Sequence, residues 1–161
     1  FGGTDNSSNM NEIVRYDLST QNSGEWTTIA KVNEANQRGG VAFVVEDKVY
    51  AGLGEKSNGI RNGFYVSSDS LTKWELIPSI PAQLGVISSG VYDEQKKSFF
   101  MIDNDGKIWE YNLTTEQWTS RSLWIRMKNY HMFMLDGSIY ILGQDIYQKN
   151  KFTVYNPIWD N

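Results

Sequence analysis

GKIWEYNLTTEQW, residues 106–118, sets a tyrosine at 111 and a tryptophan at 118 on either side of a polar turn, and the same phrase returns along the chain. NEIVRYDLSTQNSGEW fills 11–26, NGFYVSSDSLTKW fills 62–74, and NKFTVYNP at 150–157 supplies the first half of a fourth copy. Aligned, the copies place Tyr16, Ser67, Tyr111 and Tyr155 in one column at spacings of 51, 44 and 44 residues. Trp26, Trp74 and Trp118 form a second column at spacings of 48 and 44. Self-similarity at about 40 to 50 residues marks a propeller or solenoid array, whose units cannot bury their own faces and stack on copies of themselves.

The runs between these landmarks read as short strands. Gly40–Val45 is β-branched and aromatic, Glu46-Asp47 is a turn, and Lys48–Gly54 is a second strand ending in glycine. A loop over 55–62 then leads to strands at 63–67 and 73–78. The fourth unit repeats the plan with 130–135, an Asp136-Gly137 turn, 138–143 and 151–156, and Asp-Gly between alternating apolar runs is a strong hairpin signal. In the third unit GVISSGVYDEQKKSFFMID precedes the Asn104-Asp105-Gly106 turn, KIWEYN and QWTSRSLW. No helix is predicted. Four antiparallel strands in each unit of this period give an all-β propeller, with blades at approximately 1–32, 38–80, 85–122 and 128–161.

Composition fits this reading and narrows the function. Apolar residues make up 40% of the 161-residue chain and aromatics 14%, enough to build a core. The formal net charge of -4 argues against a nucleic-acid partner, because phosphate binding needs a concentrated basic surface. No apolar run approaches the roughly 18 residues of a membrane span, and the N-terminus lacks the pattern of a signal peptide. Cysteine is absent, which removes disulfides, thiolate metal sites and a cysteine nucleophile. A single histidine, His131, leaves no histidine-rich metal site. No metal and no cofactor is expected.

The opening Phe1-Gly2-Gly3, the Val14-Arg15-Tyr16-Asp17 of the first unit, Arg38-Gly39-Gly40 before a first strand and the tryptophan heading each outer strand together resemble the kelch-repeat family. The resemblance covers nearly the whole chain. It implies a kelch-type β-propeller of divergent, bacterial character. Gly2-Gly3 keeps the family's double glycine, whereas Leu53-Gly54, Ile102-Asp103 and Gly143-Gln144 depart from it and Ser67 replaces the tyrosine. About three and a half blades are accounted for, against the four to eight of closed rings. The chain is therefore expected to be a fragment of a six- or seven-bladed ring, with N-terminal blades of the same protein as its partner. Self-assembly of two such chains is the alternative.

In such blades the loop between strands two and three and the link to the next blade emerge on one face. Here these are 4–10, 55–62, 104–106 and 145–150, with links at 33–38, 81–85 and 123–130. Binding residues concentrate on loops carried by a rigid scaffold. The link LWIRMKNYH offers Trp124, Arg126, Tyr130 and His131 as an aromatic platform, a bidentate cation and a hydrogen-bonding ring. Arg38, Glu55 and Arg61 flank the second unit's openings. Each of these has a plainer role: the arginines as structural ion pairs, His131 as a satisfied buried ring, Trp124 as packing. Asp103, Asn104 and Asp105 resemble a calcium loop in composition but lack its ligand spacing, so a tight turn is expected.

The leading expectation is a non-catalytic recognition module, secreted or at the cell surface, binding a protein or glycan through that loop face. The kelch resemblance also brings sugar enzymes into view. A galactose oxidase-like copper site is ruled out by the absence of cysteine and the single histidine. A sialic acid mutarotase needs only an acid/base pair and an arginine for a carboxylate, for which Arg38, Arg126 and Glu55 qualify. A ubiquitin-ligase adaptor propeller is the third possibility.

Overall fold

A computed structural model describes residues 12–18, 24–31, 39–56, 59–60, 63–67, 71–81, 89–103, 105–125 and 127–157. These residues form strands and turns only. Sheet one pairs β1 (Glu12–Asp17) with β2 (Glu25–Lys31). Sheet two orders β3 (Val41–Val45), β4 (Lys48–Gly52), β7 (Phe64–Ser67) and β8 (Trp74–Ile77). Its connection from β4 to β7 carries a small hairpin of β5 (Glu55–Lys56) and β6 (Gly59–Ile60). Sheet three orders β9 (Gly90–Asp93), β10 (Ser98–Ile102), β11 (Lys107–Asn112) and β12 (Gln117–Trp124). Sheet four orders β13 (Lys128–Leu135), β14 (Ser138–Gln144) and β15 (Asn150–Tyr155). Every pairing is antiparallel and stays within a unit, and apart from β4 with β7, which flank the inserted hairpin, it joins consecutive strands.

The first strands β3, β9 and β13 approach one another in succession, so sheets two to four converge along their first strands as blades of a propeller-like fold do. Among the described residues the ring is not closed. Sheet three lies in the middle of the stack, and β10 shows it: Ser98–Ile102 is buried at every position because both faces are covered. Strand alternation sends Phe99 and Met101 toward sheet two and Phe100 and Ile102 toward sheet four. Phe99 stacks on Phe43 of sheet two at 4.3 Å, and Phe64 meets Phe99, Tyr111 and Trp118 edge-on or tilted. On the other side, the Tyr130 hydroxyl donates to the Ile102 carbonyl, and the Met132 amide donates to Ser89 Oγ at 2.9 Å. Burying one such aromatic is worth roughly 1.5–3 kcal/mol.

The two aromatic columns are one structural feature. Tyr16 lies opposite Trp26, Ser67 opposite Trp74, and Tyr111 opposite Trp118, so the sequence columns are a single cross-strand pair repeated in three sheets. The tryptophan leans on the preceding sheet: Trp74 packs with Ile13, Ile29 and Ala30, while Trp118 Nε1 donates to the Pro78 carbonyl at 2.6 Å.

Turn chemistry departs from the sequence reading in two places. Strand β4 ends at Gly52, short of Gly54, because Gly52 and Leu53 take φ of 152° and 63° and the Leu53 amide donates to the Gly63 carbonyl at 3.0 Å. A Cβ at Gly52 would fall 2.3 Å from the Gly63 oxygen, so only glycine lets the returning strand come this close. The 55–62 stretch, read as loop, contains the β5–β6 hairpin. Asp136-Gly137 behaves as read, with both residues at positive φ as a tight hairpin turn demands.

Candidate functional site

Strands β4, β10 and β14 end, and β7, β11 and β15 begin, on the edge of the stack that also carries the links between sheets. Buried or paired carboxylates fix the turns there. Asp103 Oδ1 accepts from the amides of Asp105 and Lys107 at 3.0 and 2.9 Å, and its Oδ2 accepts from Trp109 Nε1 at 2.9 Å. Only 5% of Asp103 is exposed, so this is a turn clamp, with its oxygens committed to the protein's own donors. Asp145 repeats the device in sheet four, accepting from the amides of Tyr147 and Lys149 at 2.8 and 3.0 Å. Strand β14 runs two residues further than β10 before its turn begins, and the clamp moves with it.

That longer turn presents side chains to solvent. Ile146 and Tyr147 are 62% and 76% exposed at its tip, held on a backbone fixed by the Asp145 carboxylate and by a bond from the Gln148 amide to the Asp145 carbonyl. Beside it lies an open cleft of about 430 Å³ lined by Asn129, His131, Leu142, Gly143, Gln144, Asn150 and Lys151. Among the described residues its polar groups are amides, an imidazole and an ammonium group. Asn129 Nδ2 donates to Gln144 Oε1 at 3.3 Å, which orients the two amides toward the same space. Asn129 itself has φ of 50°, at the irregularity between Lys128 and His131 that turns the start of β13.

His131, a binding candidate whose plainer reading was a buried ring, is exposed, and its neighbours across the sheet, Leu142 and Phe152, also face outward. Tyr130 points the other way, is 5% exposed, and packs between sheets three and four with its hydroxyl on Ile102. One residue of register thus separates the two, as strand alternation requires. Glu55 is half-buried in β5 opposite Ile60. Trp124 closes β12 opposite Lys107. Arg38, Arg61 and Arg126 lie outside the described residues, as does Asn104 of the turn that resembled a calcium loop.

A second cavity, about 310 Å³, opens between sheets two and three at the opposite edge, where Lys48, Tyr50, Glu75, Tyr111, Leu113 and Glu116 meet. Burial, with Glu116 and Tyr50 nearby, pushes the Tyr111 phenol up to about 12. Burial also raises Tyr50, helped by Tyr92, Glu116 and Glu46. Both phenols stay protonated at neutral pH and act as donors, not as bases. Among the described residues no three His, Asp or Glu side chains gather as a metal site would require, and no helix is long and apolar enough to cross a membrane.

No protein family and no curated protein matches the sequence. Solved structures do match in fold. One titled "Structure of YjhT" superposes with a TM-score of 0.61 at 11% identity, covering 94% of this chain and 64% of that one. A structural genomics protein of unknown function from Bacteroides thetaiotaomicron VPI-5482 superposes with a TM-score of 0.55 at 15% identity, covering 88% of this chain and 40% of that one. The chain thus spans less than two thirds of the length of either.

Proposed function

We propose that this chain is part of a kelch-like propeller that works as a non-catalytic recognition module, binding a glycan or protein at the edge that carries the 145–149 turn. The observation behind this reading is the pairing of an exposed Ile146-Tyr147 tip with a cleft of amides, imidazole and ammonium. Amides and imidazole give and accept hydrogen bonds in fixed directions, which suits hydroxyl-rich or peptide ligands. An exposed aromatic on a pinned turn adds contact area at low entropic cost. Among the described residues the cleft carries no carboxylate to pair with the imidazole in acid/base work, and the raised phenols of the second cavity are poor bases at neutral pH. By their place in the sequence, Arg38, Glu55, Arg61, Trp124 and Arg126 remain candidate contacts of the proposed module.

A glycan array followed by titration of the best hit tests the proposal. Tyr147→Ala and Gln144→Ala are expected to weaken binding on the order of tenfold each without changing thermal stability. In parallel, sialic acid anomer exchange followed by NMR is expected to run at its uncatalysed rate. Acceleration that disappears in Arg126→Ala would replace the binding module with a sugar enzyme of the mutarotase type.

A further inference from the structure

The walls of the cavity between sheets two and three are set by strand register. On sheet two, Tyr50, Val66 and Glu75 stand opposite one another across β4, β7 and β8, and Lys48 shares their face two residues before Tyr50. On sheet three the wall is Tyr111 and the turn that follows it, which carries Leu113 and Glu116. That turn is pinned from within. Asn112 Oδ1 accepts from the amides of Thr114 and Thr115 at 2.9 and 3.0 Å, and the Glu116 amide donates to the Asn112 carbonyl at 2.8 Å. Phe43, Phe64 and Phe99 lock the two sheets together beside the cavity, so both walls are held in place.

Tyr111 is 2% exposed, yet among the described residues its hydroxyl has no hydrogen-bond partner. A buried phenol ordinarily has one, so a donor stands unused in the wall of this cavity. The phenol keeps its proton at neutral pH and can offer it to a carboxylate. Lys48, Glu75 and Glu116 are exposed around it, and among the described residues none of the three enters an ion pair. A ligand of one sign suits this set badly: an anion meets two carboxylates, while a cation meets Lys48 and leaves the phenol proton unused. Val66, Ile77 and Leu113 add an apolar surface, and about 310 Å³ lies at the small end of ligand pockets. We propose that this cavity binds a small zwitterion, a free α-amino acid with an apolar side chain. Its carboxylate sits on Lys48 and the Tyr111 hydroxyl, and its ammonium on Glu75 and Glu116. The site lies at the opposite edge from the His131 cleft and shares no lining residue with it.

Titration of the 161-residue chain with L-leucine, followed by saturation-transfer NMR, is expected to show saturable binding. Leucinamide lacks the carboxylate, N-acetyl-leucine the ammonium and glycine the apolar side chain, and each is expected to bind about tenfold more weakly. Tyr111→Phe keeps the ring and removes only the hydroxyl, while Lys48→Met and Glu75→Gln change exposed side chains. Circular dichroism checks that all three keep the fold. Each is expected to weaken leucine binding about tenfold, and Lys48→Met is expected not to weaken leucinamide. Gln144→Ala, in the other cleft, should leave leucine binding unchanged. A chain that does not bind leucine would overturn the proposal, as would leucinamide binding as tightly as leucine. Full affinity in Tyr111→Phe and Lys48→Met, or a loss in Gln144→Ala, would overturn it equally.

Discussion

Tyr16–Trp26 in sheet one and Tyr111–Trp118 in sheet three are nearly the same object. Ring centroids lie 4.9 and 4.8 Å apart and the planes meet at 44° and 43°. Yet Tyr111 is 2% exposed and Tyr16 43%. Strand register sets the geometry of the pair, because opposite residues on adjacent strands are held together whatever lies above them. Its energetic weight depends on whether another sheet covers it. In sheet three the cover is Phe64 and the Pro78 carbonyl of sheet two. In sheet one no described residue covers the pair.

The comparison breaks most readily at the covered end. Phe99→Ala empties the centre of the interface where Phe43, Phe64 and Tyr111 meet, and urea unfolding should show a loss of about 3–5 kcal/mol. Trp118→Ala removes both the packing and the bond to Pro78 and should cost about 3 kcal/mol, whereas Trp26→Ala, at a side chain 68% exposed, should stay within about 0.5 kcal/mol. Equal losses for the two tryptophans would mean that cover does not decide their worth.

The two aspartate clamps sharpen the same contrast. Asp103→Ala strands two amides and the Trp109 indole in a buried turn and should cost about 1–3 kcal/mol in thermal or urea unfolding. Asp145→Ala, whose amide donors can turn to water, should cost about 1 kcal/mol or less. Alkaline titration gives the smallest effect. The Tyr111 phenol ionises at about 12 in the folded chain against 10.0 in the unfolded one, so unfolding releases its proton between those values. The stability it contributes is fully present below pH 10 and is lost as pH rises toward 12, a decline that Tyr111→Phe should reduce.

How far the sequence speaks follows the same division. The tyrosine and tryptophan columns were legible because register and inter-sheet packing demand the same residue types at the same spacing in each unit, and the structure places those columns directly opposite one another. The turn at Asp103 was legible because an acidic residue before a glycine is a local matter. The β5–β6 hairpin was not, since a pair of strands two residues long carries no period to detect. The orientation of Tyr130 and His131 was not legible either. Both looked like ligand groups in the link, and a single step of alternation, offset by the irregularity after Lys128, decides which enters the core. Tyr147 was not singled out in a stretch read only as one of the loops of the binding face, although an aromatic beside isoleucine at such a tip is itself a signal of an exposed contact.

The central claim, that one repeated pair is covered in sheet three and open in sheet one, can be read indole by indole. Labelling with 5-fluorotryptophan gives a fluorine resonance for each tryptophan, assigned by single Trp→Phe substitutions, and the shift between H₂O and D₂O reports contact with water. Trp26 should show a large solvent shift and Trp118 a small one. Similar shifts for the two would contradict the account.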